Sequence, residues 1–245
     1  MKNIKKAVLF DLDNTLYDYD ICHEKGLFES YNVIKNDFNL SFHDFCKLYD
    51  NVRSETHKEL DGYSSSHNRI IYFQKLIFSL KSDFDSKKIL NLYESYYEGF
   101  FKNMKLFDSV EDLFIKLNQN NIKIGVVTNL NSLIQFKKVD HLDISKYIDN
   151  IVTSEESSRE KPHSSIFLLA LNKLNVRPKD VIMVGDSIEH DIIGSNSLKI
   201  DSILFDKNSD LNLEDYSDDK IIKEKCIKFN NFKDISKYLT NELNL

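Results

Sequence analysis

The sequence predicts an α/β protein in which a parallel sheet carries helices on both faces and a helical domain is inserted after the first strand. Through residues 106–245, short apolar runs alternate with segments of helical periodicity, and such alternation is typical of parallel sheets covered by helices. Between residues 17 and 105, apolar positions recur only at helical spacing. We therefore predict one domain from 1–16 with 106–245 and a second domain at 17–105.

The first predicted element is a strand at 7–10, and four helices are predicted to follow it. Apolar residues at i, i+3 and i+4 indicate the helices, and turn-forming residues separate them. The predicted helices span 22–36, 42–60, 67–80 and 86–101. Together they are expected to form a four-helix bundle.

Helices and strands alternate in the remainder of the chain. The helices are predicted at 108–120, 131–138, 163–174 and 190–197. The strands are predicted at 122–127, 149–153, 180–184 and 201–205. Helical connections of this length join parallel strands.

Composition limits the classes of partner. A net charge of −6 over 245 residues argues against broad nucleic-acid binding, which needs a basic surface. No apolar run is long enough to cross a bilayer, and the run after the basic N-terminus stops at Asp11, too early for a signal peptide. Three scattered cysteines without metal-ligand spacing favour a reducing compartment. We expect a cytoplasmic protein that binds neither nucleic acid nor a membrane, as a monomer or a homodimer.

The segment AVLFDLDNTL predicts a strand that ends in two carboxylates, Asp11 and Asp13, followed by a hydroxyl at Thr15. Residues i and i+2 of an extended chain point the same way, so these carboxylates would share one face. They would repel unless a cation lies between them or one holds a proton. A hard divalent cation such as Mg²⁺ suits oxygen ligands. An ordinary Asx-type turn after a strand is the alternative interpretation.

Three later segments repeat this arrangement of polar groups at strand or helix ends. Asp186 and Asp191 follow an apolar strand and Gly185, and could complete a metal site. Thr128 and Asn129 end another strand and could donate hydrogen bonds to phosphate oxygens. Lys161 precedes a proline at a helix start, where an anion could bind. Alone, Lys161 is more often a solvated charge at a helix start, and Thr128 with Asn129 is more often an ordinary cap between strand and helix. The four segments together reverse both interpretations and favour phosphate chemistry.

The four segments resemble the motifs of the haloacid dehalogenase-like hydrolases in order and spacing: DLDNT, TN, KP and GDSIEHD. The resemblance covers the chain outside roughly 20–100, and it is strongest to the nucleotidase-like and sugar-phosphatase-like branch. It implies a Rossmann-like core that closes with a strand near 226–229 and a helix near 233–241. It also implies that the inserted bundle is a cap that reads the leaving group of the substrate.

The resemblance also implies catalytic roles. Asp11 would attack phosphorus and form an aspartyl phosphate, and Asp13 would act as acid and then base. The phosphoryl oxygens would be held by Lys161, Thr128 and the backbone amide of Asn129. The implied Mg²⁺ ligands are Asp11, Asp13 through its backbone carbonyl, Asp186 and Asp191, the last through water or by holding the loop.

Asp13 distinguishes between reaction types within this family. The dehalogenase branch lacks an acid at this position, because a halide leaves without a proton, whereas an alkoxide needs one. The resemblance therefore favours a phosphoric monoester hydrolase that acts on a sugar or polyol phosphate or a nucleoside monophosphate. A phosphomutase or phosphotransferase remains the alternative, and a non-catalytic binding module is the third hypothesis.

Four residues after the first motif are candidates for binding the leaving group: Tyr17, His67, Asn68 and Arg69. For each, a structural role at a hinge or a helix start is an equal alternative. One feature departs from the family pattern. Lys199 stands near the place where relatives have a glycine, and we expect a modest local change there. The acidic segment 209–220 is predicted to be an exposed loop.

Overall fold

The computed structural model describes residues 5–209 and 226–245, so the predicted acidic loop lies outside the described residues from position 210 onward. The chain divides into two compact units, the first within Met1–Asp18 and Lys105–Leu245 and the second at Tyr19–Met104. The second unit thus begins two residues later and ends one residue earlier than the predicted domain at 17–105. Tyr17 pairs in β-bridges with Asp13 and Leu106, which keeps it with the first unit.

The first unit contains a parallel sheet in the order β3-β2-β1-β4-β5-β6. The strands are β1 Ala7–Phe10, β2 Lys123–Thr128, β3 Asn150–Thr153, β4 Val181–Gly185, β5 Asp201–Phe205 and β6 Cys226–Phe229. The predicted α/β class is confirmed. Because the chain runs outward from β1 to β3 and then returns to β4 on the other side, β1 and β4 flank the point where the strand order reverses. Ligands bind at the carboxyl ends of the strands at such a point.

Helices cover the sheet in the first unit and form all of the regular structure of the second. The second unit contains α1 Tyr19–Phe38, α2 Phe42–Glu59, a 3₁₀ turn Ser64–His67, α3 Arg69–Ser79 and α4 Ser86–Lys102. The first contains α5 Val110–Gln119, α6 Ser132–His141, α7 Ser154–Ser157, α8 Ser164–Leu174, a 3₁₀ turn Pro178–Asp180, α9 Gly194–Ser197 and α10 Phe232–Leu243. None of the helices in the described ranges has the length and apolar character that crossing a membrane requires.

One predicted helix has a different form. The segment expected to be helical at 190–197 begins as a π-helical turn, Ile188–Ile193, and continues as α9. The backbone N–H of Ile192 donates to the carbonyl of Ser187 at 3.2 Å, five residues earlier. Such wide turns are frequent at functional sites, and this one contains Asp191.

Both faces of β1 are buried, since alternate side chains enter two apolar layers. Ala7 and Leu9 belong to a core cluster with the apolar face of α8, which includes Phe167. On the other face, the ring of Phe10 lies 5.1 Å from the ring of Phe114 in α5 and 6.5 Å from that of Phe232 in α10. The predicted arrangement of helices on both faces is confirmed.

The second unit is a four-helix bundle in which α1 packs on α4 and α2 packs on α3. Gly26 lies where α1 meets α4: a Cβ atom there would be 2.8 Å from the carbonyl oxygen of Tyr96. A glycine at this position therefore lets the two helices approach closely.

Lys199 has φ 64° in the turn between α9 and β5. This is the left-handed region, where a Cβ atom is crowded and glycine is not. Lys199 therefore adopts the backbone conformation that glycine favours. The expected local change is a strained backbone at this residue.

Replacing Lys199 with glycine is expected to raise the free energy of unfolding by up to about 1 kcal/mol, because the strain relieved is partly offset by the entropy of glycine in the unfolded chain. Urea denaturation measures this. Lys199→Ala is the matched control, since alanine keeps the Cβ atom and should give no gain. Equal stabilisation by both variants would show that φ is not the cause.

Candidate active site

Asp11 is the first residue after β1, and its position is set by the sheet. Its backbone N–H donates to the carbonyl of Val184 in β4 at 2.9 Å. Its side chain is buried, with Oδ1 2.5 Å from Nζ of Lys161 and Oδ2 accepting from the Thr15 hydroxyl at 3.1 Å. A carboxylate is thus held rigidly where β1 and β4 end.

Two further carboxylates join Asp11. Single carboxylate oxygens of Asp11, Asp186 and Asp191 all lie within 4.8 Å of one another. Asp191 accepts from Nζ of Lys161 at 2.7 Å and from the backbone N–H of Ser187 at 3.1 Å. A Cβ atom on Gly185 would lie 2.4 Å from Cγ of Asp191, so glycine is required for this approach. We call these three residues the carboxylate group.

When all three carboxylates of the group are ionised, the one ammonium that pairs with them among the described residues, that of Lys161, leaves negative charge over. Burial raises the pKa of Asp11 to about 7, Lys161 acts against this rise, and the nearby charges of Asp191 and Asp13 add to it. Burial and the same kind of repulsion raise the pKa of Asp186. Burial opposes the charge of Lys161, but Asp11 and Asp191 outweigh it and raise its pKa. Clustered hard oxygen donors with excess negative charge are a donor set that fits Mg²⁺.

Lys161 is fixed by both its side chain and its backbone. Nζ also donates to the carbonyl of Val127 in β2 at 2.9 Å. The backbone N–H donates to Oδ1 of Asn129 at 2.8 Å, and Nδ2 of Asn129 lies 3.4 Å from the carbonyl of Lys161. The Asn129 side chain therefore holds the lysine segment, which leaves its backbone amide for the predicted role at the phosphoryl group.

Thr128 ends β2 and is buried. Its Oγ1 accepts from Nε2 of Gln135 in α6 at 2.7 Å, and the same Nε2 donates to the carbonyl of Asn129 at 2.8 Å. Gln135 thus orients both residues of the TN motif.

Asp13 lies apart from the carboxylate group. Both of its carboxylate oxygens are 2.7 Å from Nζ of Lys138 in α6, and Oδ1 accepts from the Tyr17 hydroxyl at 2.5 Å. In the described part of the chain, the metal-competent group therefore does not include the Asp13 side chain. The predicted contribution of Asp13 to a metal site, through its backbone carbonyl, stays a prediction.

The structure gives each proposed leaving-group residue a definite environment. Tyr17 is fully buried in the first unit as a partner of Asp13. In the second unit, Asn68 accepts from the N–H of Ile70 and caps α3, and the ring of His67 lies 4.6 Å from that of His57. Arg69 is buried rather than a surface charge.

The sequence interpretation missed two functional candidates, Gln135 and Lys138. Both are buried on α6, whose apolar residues Leu133 and Phe136 are instead 63% and 56% exposed. The available signal was their phase: Gln135 and Lys138 share the helix face of buried Ile134. Polar residues in phase with a buried face indicate partners inside the protein.

Comparison with known proteins identifies the class. A family model for haloacid dehalogenase-like hydrolases matches residues 8–205. The chain therefore belongs to the haloacid dehalogenase-like hydrolases, as its motifs predicted.

Two curated relatives and one solved structure are similar to the chain over most of its length. It is 32% identical over 215 residues to a ribulose-1,5-bisphosphate 5-phosphatase of Halopiger xanaduensis, covering 86% of this chain and 89% of the relative. It is 28% identical over 220 residues to a glyceraldehyde 3-phosphate phosphatase of Methanopyrus kandleri, covering 88% and 90%. The HAD-hydrolase YfnB of Bacillus subtilis shares the fold, with a TM-score of 0.72 at 19% identity over 100% of both chains. The predicted enzyme class, a phosphoric monoester hydrolase, is confirmed by the relatives named as phosphatases.

Asp11→Asn is expected to raise the free energy of unfolding of the metal-free protein by about 2–4 kcal/mol near pH 8. The pKa of Asp11 lies at about 7 against an ordinary 3.8, and each pKa unit corresponds to about 1.4 kcal/mol. The folded wild type binds a proton at Asp11 more tightly than the unfolded chain does, so its free energy of unfolding rises as pH falls from 8 towards 4. The difference in stability between Asp11→Asn and the wild type is therefore smaller at pH 5 than at pH 8. Urea denaturation with a chelator measures it.

The control is Asp140→Asn, which removes an exposed carboxylate on α6 and should change stability little. A less stable Asp11→Asn protein near pH 8 would contradict the inferred repulsion.

Proposed function

We propose that the protein is a Mg²⁺-dependent phosphatase that hydrolyses a small phosphorylated metabolite through an aspartyl phosphate on Asp11. The observation that carries the proposal is the buried Asp11 carboxylate at the end of β1, paired with Lys161 and grouped with Asp186 and Asp191. Among the substrate classes predicted from the sequence, the names of the relatives, which refer to phosphates of sugars, favour a sugar phosphate. A cytoplasmic location, and a monomeric or dimeric state, stay predictions.

The carboxylate group would hold the metal, together with the backbone carbonyl of Asp13. Bound Mg²⁺ would neutralise negative charge on the phosphoryl oxygens and on the attacking carboxylate. Asp191 contributes a second function, since its bonds to Lys161 and to the N–H of Ser187 brace the loop after β4.

In the first step, an oxygen of Asp11 forms a bond to phosphorus while the bond from phosphorus to the leaving-group oxygen breaks. The ammonium of Lys161, the hydroxyl of Thr128 and the amide of Asn129 donate to the phosphoryl oxygens as charge is redistributed. Gln135 fixes the last two donors from behind, so the donors need little reorganisation during the reaction.

Asp13 serves both steps. It gives a proton to the departing alkoxide, and it then takes a proton from the water that hydrolyses the aspartyl phosphate. Its contacts with Lys138 and Tyr17 support this role, because they hold the carboxylate in one orientation. Lysine and tyrosine ordinarily have pKa values near 10, so neither partner can replace Asp13 as the acid and base at neutral pH.

Asp11→Asn is expected to abolish phosphate release, since an amide cannot form the acyl phosphate. Inorganic phosphate is measured with a panel of sugar phosphates, polyol phosphates and nucleoside monophosphates, with Mg²⁺ and with a chelator. Asp140→Asn should retain wild-type rates, and circular dichroism should be unchanged in both variants.

Retained turnover in Asp11→Asn would contradict the mechanism. Transfer of phosphate to an added sugar acceptor with little release to water would identify a phosphomutase or phosphotransferase instead.

Lys138→Met is expected to lower kcat for alkyl phosphates by about 100-fold, the usual size of an acid–base contribution. With p-nitrophenyl phosphate, whose leaving group needs no proton, the first step should stay fast and appear as a burst of nitrophenolate. Stopped-flow kinetics on both substrates measures the difference.

The matched control is Lys137→Met, an exposed lysine next to Lys138 on the same helix. An equal loss on both substrates with no burst would show that Lys138 acts on the fold rather than through Asp13.

A further inference from the structure

The backbone between β2 and α6 contains a residue in a conformation that its side chain disfavours. Leu130, the residue after Asn129, has φ 128° and is buried. A positive φ crowds the Cβ atom, so glycine is the residue that ordinarily adopts it. A bulky leucine held there is strained, and such strain persists only where the surrounding contacts fix the backbone.

One buried hydroxyl binds both polar backbone groups of Leu130. Ser154 is the first residue of α7, directly after β3, and it has no exposed surface. Its Oγ accepts from the backbone N–H of Leu130 at 2.9 Å and donates to the carbonyl of Leu130 at 3.3 Å. Because Ser154 lies 24 positions further along the chain, these bonds are tertiary contacts and not part of a local turn.

The peptide unit between Asn129 and Leu130 is therefore bound at both of its polar ends. Its N–H is that of Leu130 and donates to Ser154. Its carbonyl is that of Asn129 and accepts from Nε2 of Gln135 at 2.8 Å. A rotation of this peptide plane would break bonds to two different helices, so its orientation is fixed independently of any ligand.

The contact from Gln135 carries a cost of its own. Its Nε2 binds the carbonyl of Asn129 and the hydroxyl of Thr128, and Oε1 is left buried with no hydrogen-bond partner in the part of the chain that the structure describes. Unpaired buried acceptors are unfavourable, and they and backbone strain are concentrated at functional sites. Both features occur at the same segment, 128–130.

We infer that Ser154 is a positioning residue for the transferred phosphoryl group, and that it acts together with Gln135 through the strained backbone at Leu130. The inference rests on the proposed function, in which the hydroxyl of Thr128 and the backbone N–H of Asn129 donate to phosphoryl oxygens. Both donors lie directly before the clamped peptide unit, so its orientation sets theirs. Donors that are already in place stabilise developing charge without a cost of reorganisation.

The loss of Ser154 would release this arrangement. If φ of Leu130 relaxed to a negative value, the Asn129 carbonyl would turn away from Gln135. The donors next to that carbonyl would then lose their fixed direction.

The test uses the full-length enzyme with Mg²⁺ and compares Ser154→Ala with the wild type. The probe is orthovanadate, which mimics the phosphoryl group in its transition state. Its inhibition constant is expected to rise, and kcat/KM for p-nitrophenyl phosphate to fall, by about 10- to 100-fold, somewhat less than the loss of a whole donor costs. The Mg²⁺ concentration for half-maximal activity should stay near the wild-type value, because the carboxylate group keeps its contacts.

A second substitution distinguishes positioning from a general effect on the fold. Leu130→Gly removes the Cβ atom that makes the positive φ unfavourable, so the backbone can keep its conformation without Ser154. The double variant, Ser154→Ala with Leu130→Gly, is expected to bind orthovanadate more tightly than Ser154→Ala alone. It should nevertheless be less stable, because a buried leucine side chain is lost. A serine that only supported the fold would give weaker binding in the double variant.

Ser236→Ala is the matched control, because it removes the hydroxyl of another buried serine of the same unit, in α10. It should keep the wild-type inhibition constant. Wild-type inhibition in Ser154→Ala, or no recovery in the double variant, would overturn the inference while the phosphatase proposal stands.

If the wild type hydrolyses no ester, the phosphatase proposal fails, and the dissociation constant of orthovanadate in the presence of Mg²⁺, measured by calorimetry, decides about Ser154. A rise in Ser154→Ala that Leu130→Gly reverses supports the inference. No binding to the wild type, or equal binding to Ser154→Ala, overturns it.

Discussion

The contacts of the Lys161 ammonium group join the parts of the active site. Its Nζ bonds to Asp11 after β1, to Asp191 after β4 and to the carbonyl of Val127 in β2. Without a positive charge at this point, the carboxylates at the reversal of strand order would repel one another and the loop after β4 would lose its anchor. Because Asn129 holds the lysine backbone in turn, the TN and KP motifs depend on each other as well as on the sheet.

The strand ends were predictable because apolar runs followed by acids are local patterns, and parallel pairing brings Asp11 and Asp186 to one edge. The pairing of Asp13 with Lys138 was not predictable, because it joins residues 125 positions apart. It also depends on how α6 is rotated about its own axis. On this helix the apolar Leu133 and Phe136 are exposed while the polar Gln135 and Lys138 are buried, so residue type alone does not locate its inner face. The second unit begins after Tyr17 rather than at Tyr17, because Tyr17 forms β-bridges with Asp13 and Leu106. The bridge to Leu106 joins distant parts of the chain, and a local sequence pattern does not reveal it.

Each unit holds an electrostatic imbalance, and the two imbalances have opposite sign. In the first unit, three clustered carboxylates face the Lys161 ammonium, and in the second the buried guanidinium of Arg69 lies among tyrosines, with its Nε unpaired. Natural proteins tolerate such local instability where it serves ligand binding. An excess of carboxylates is suited to a cation, and a buried guanidinium is suited to hydrogen-bond acceptors.

The long sequence separation of these contacts has a consequence for biosynthesis. Asp11 leaves the ribosome early, but its lysine partner lies 150 residues later and Asp191 later still. The four helices between them contact one another over much shorter stretches of chain, and local contacts form faster than distant ones. During translation the nascent chain therefore carries the Asp11 carboxylate without its counter-charge, and the carboxylate group is assembled only after most of the polypeptide has been made.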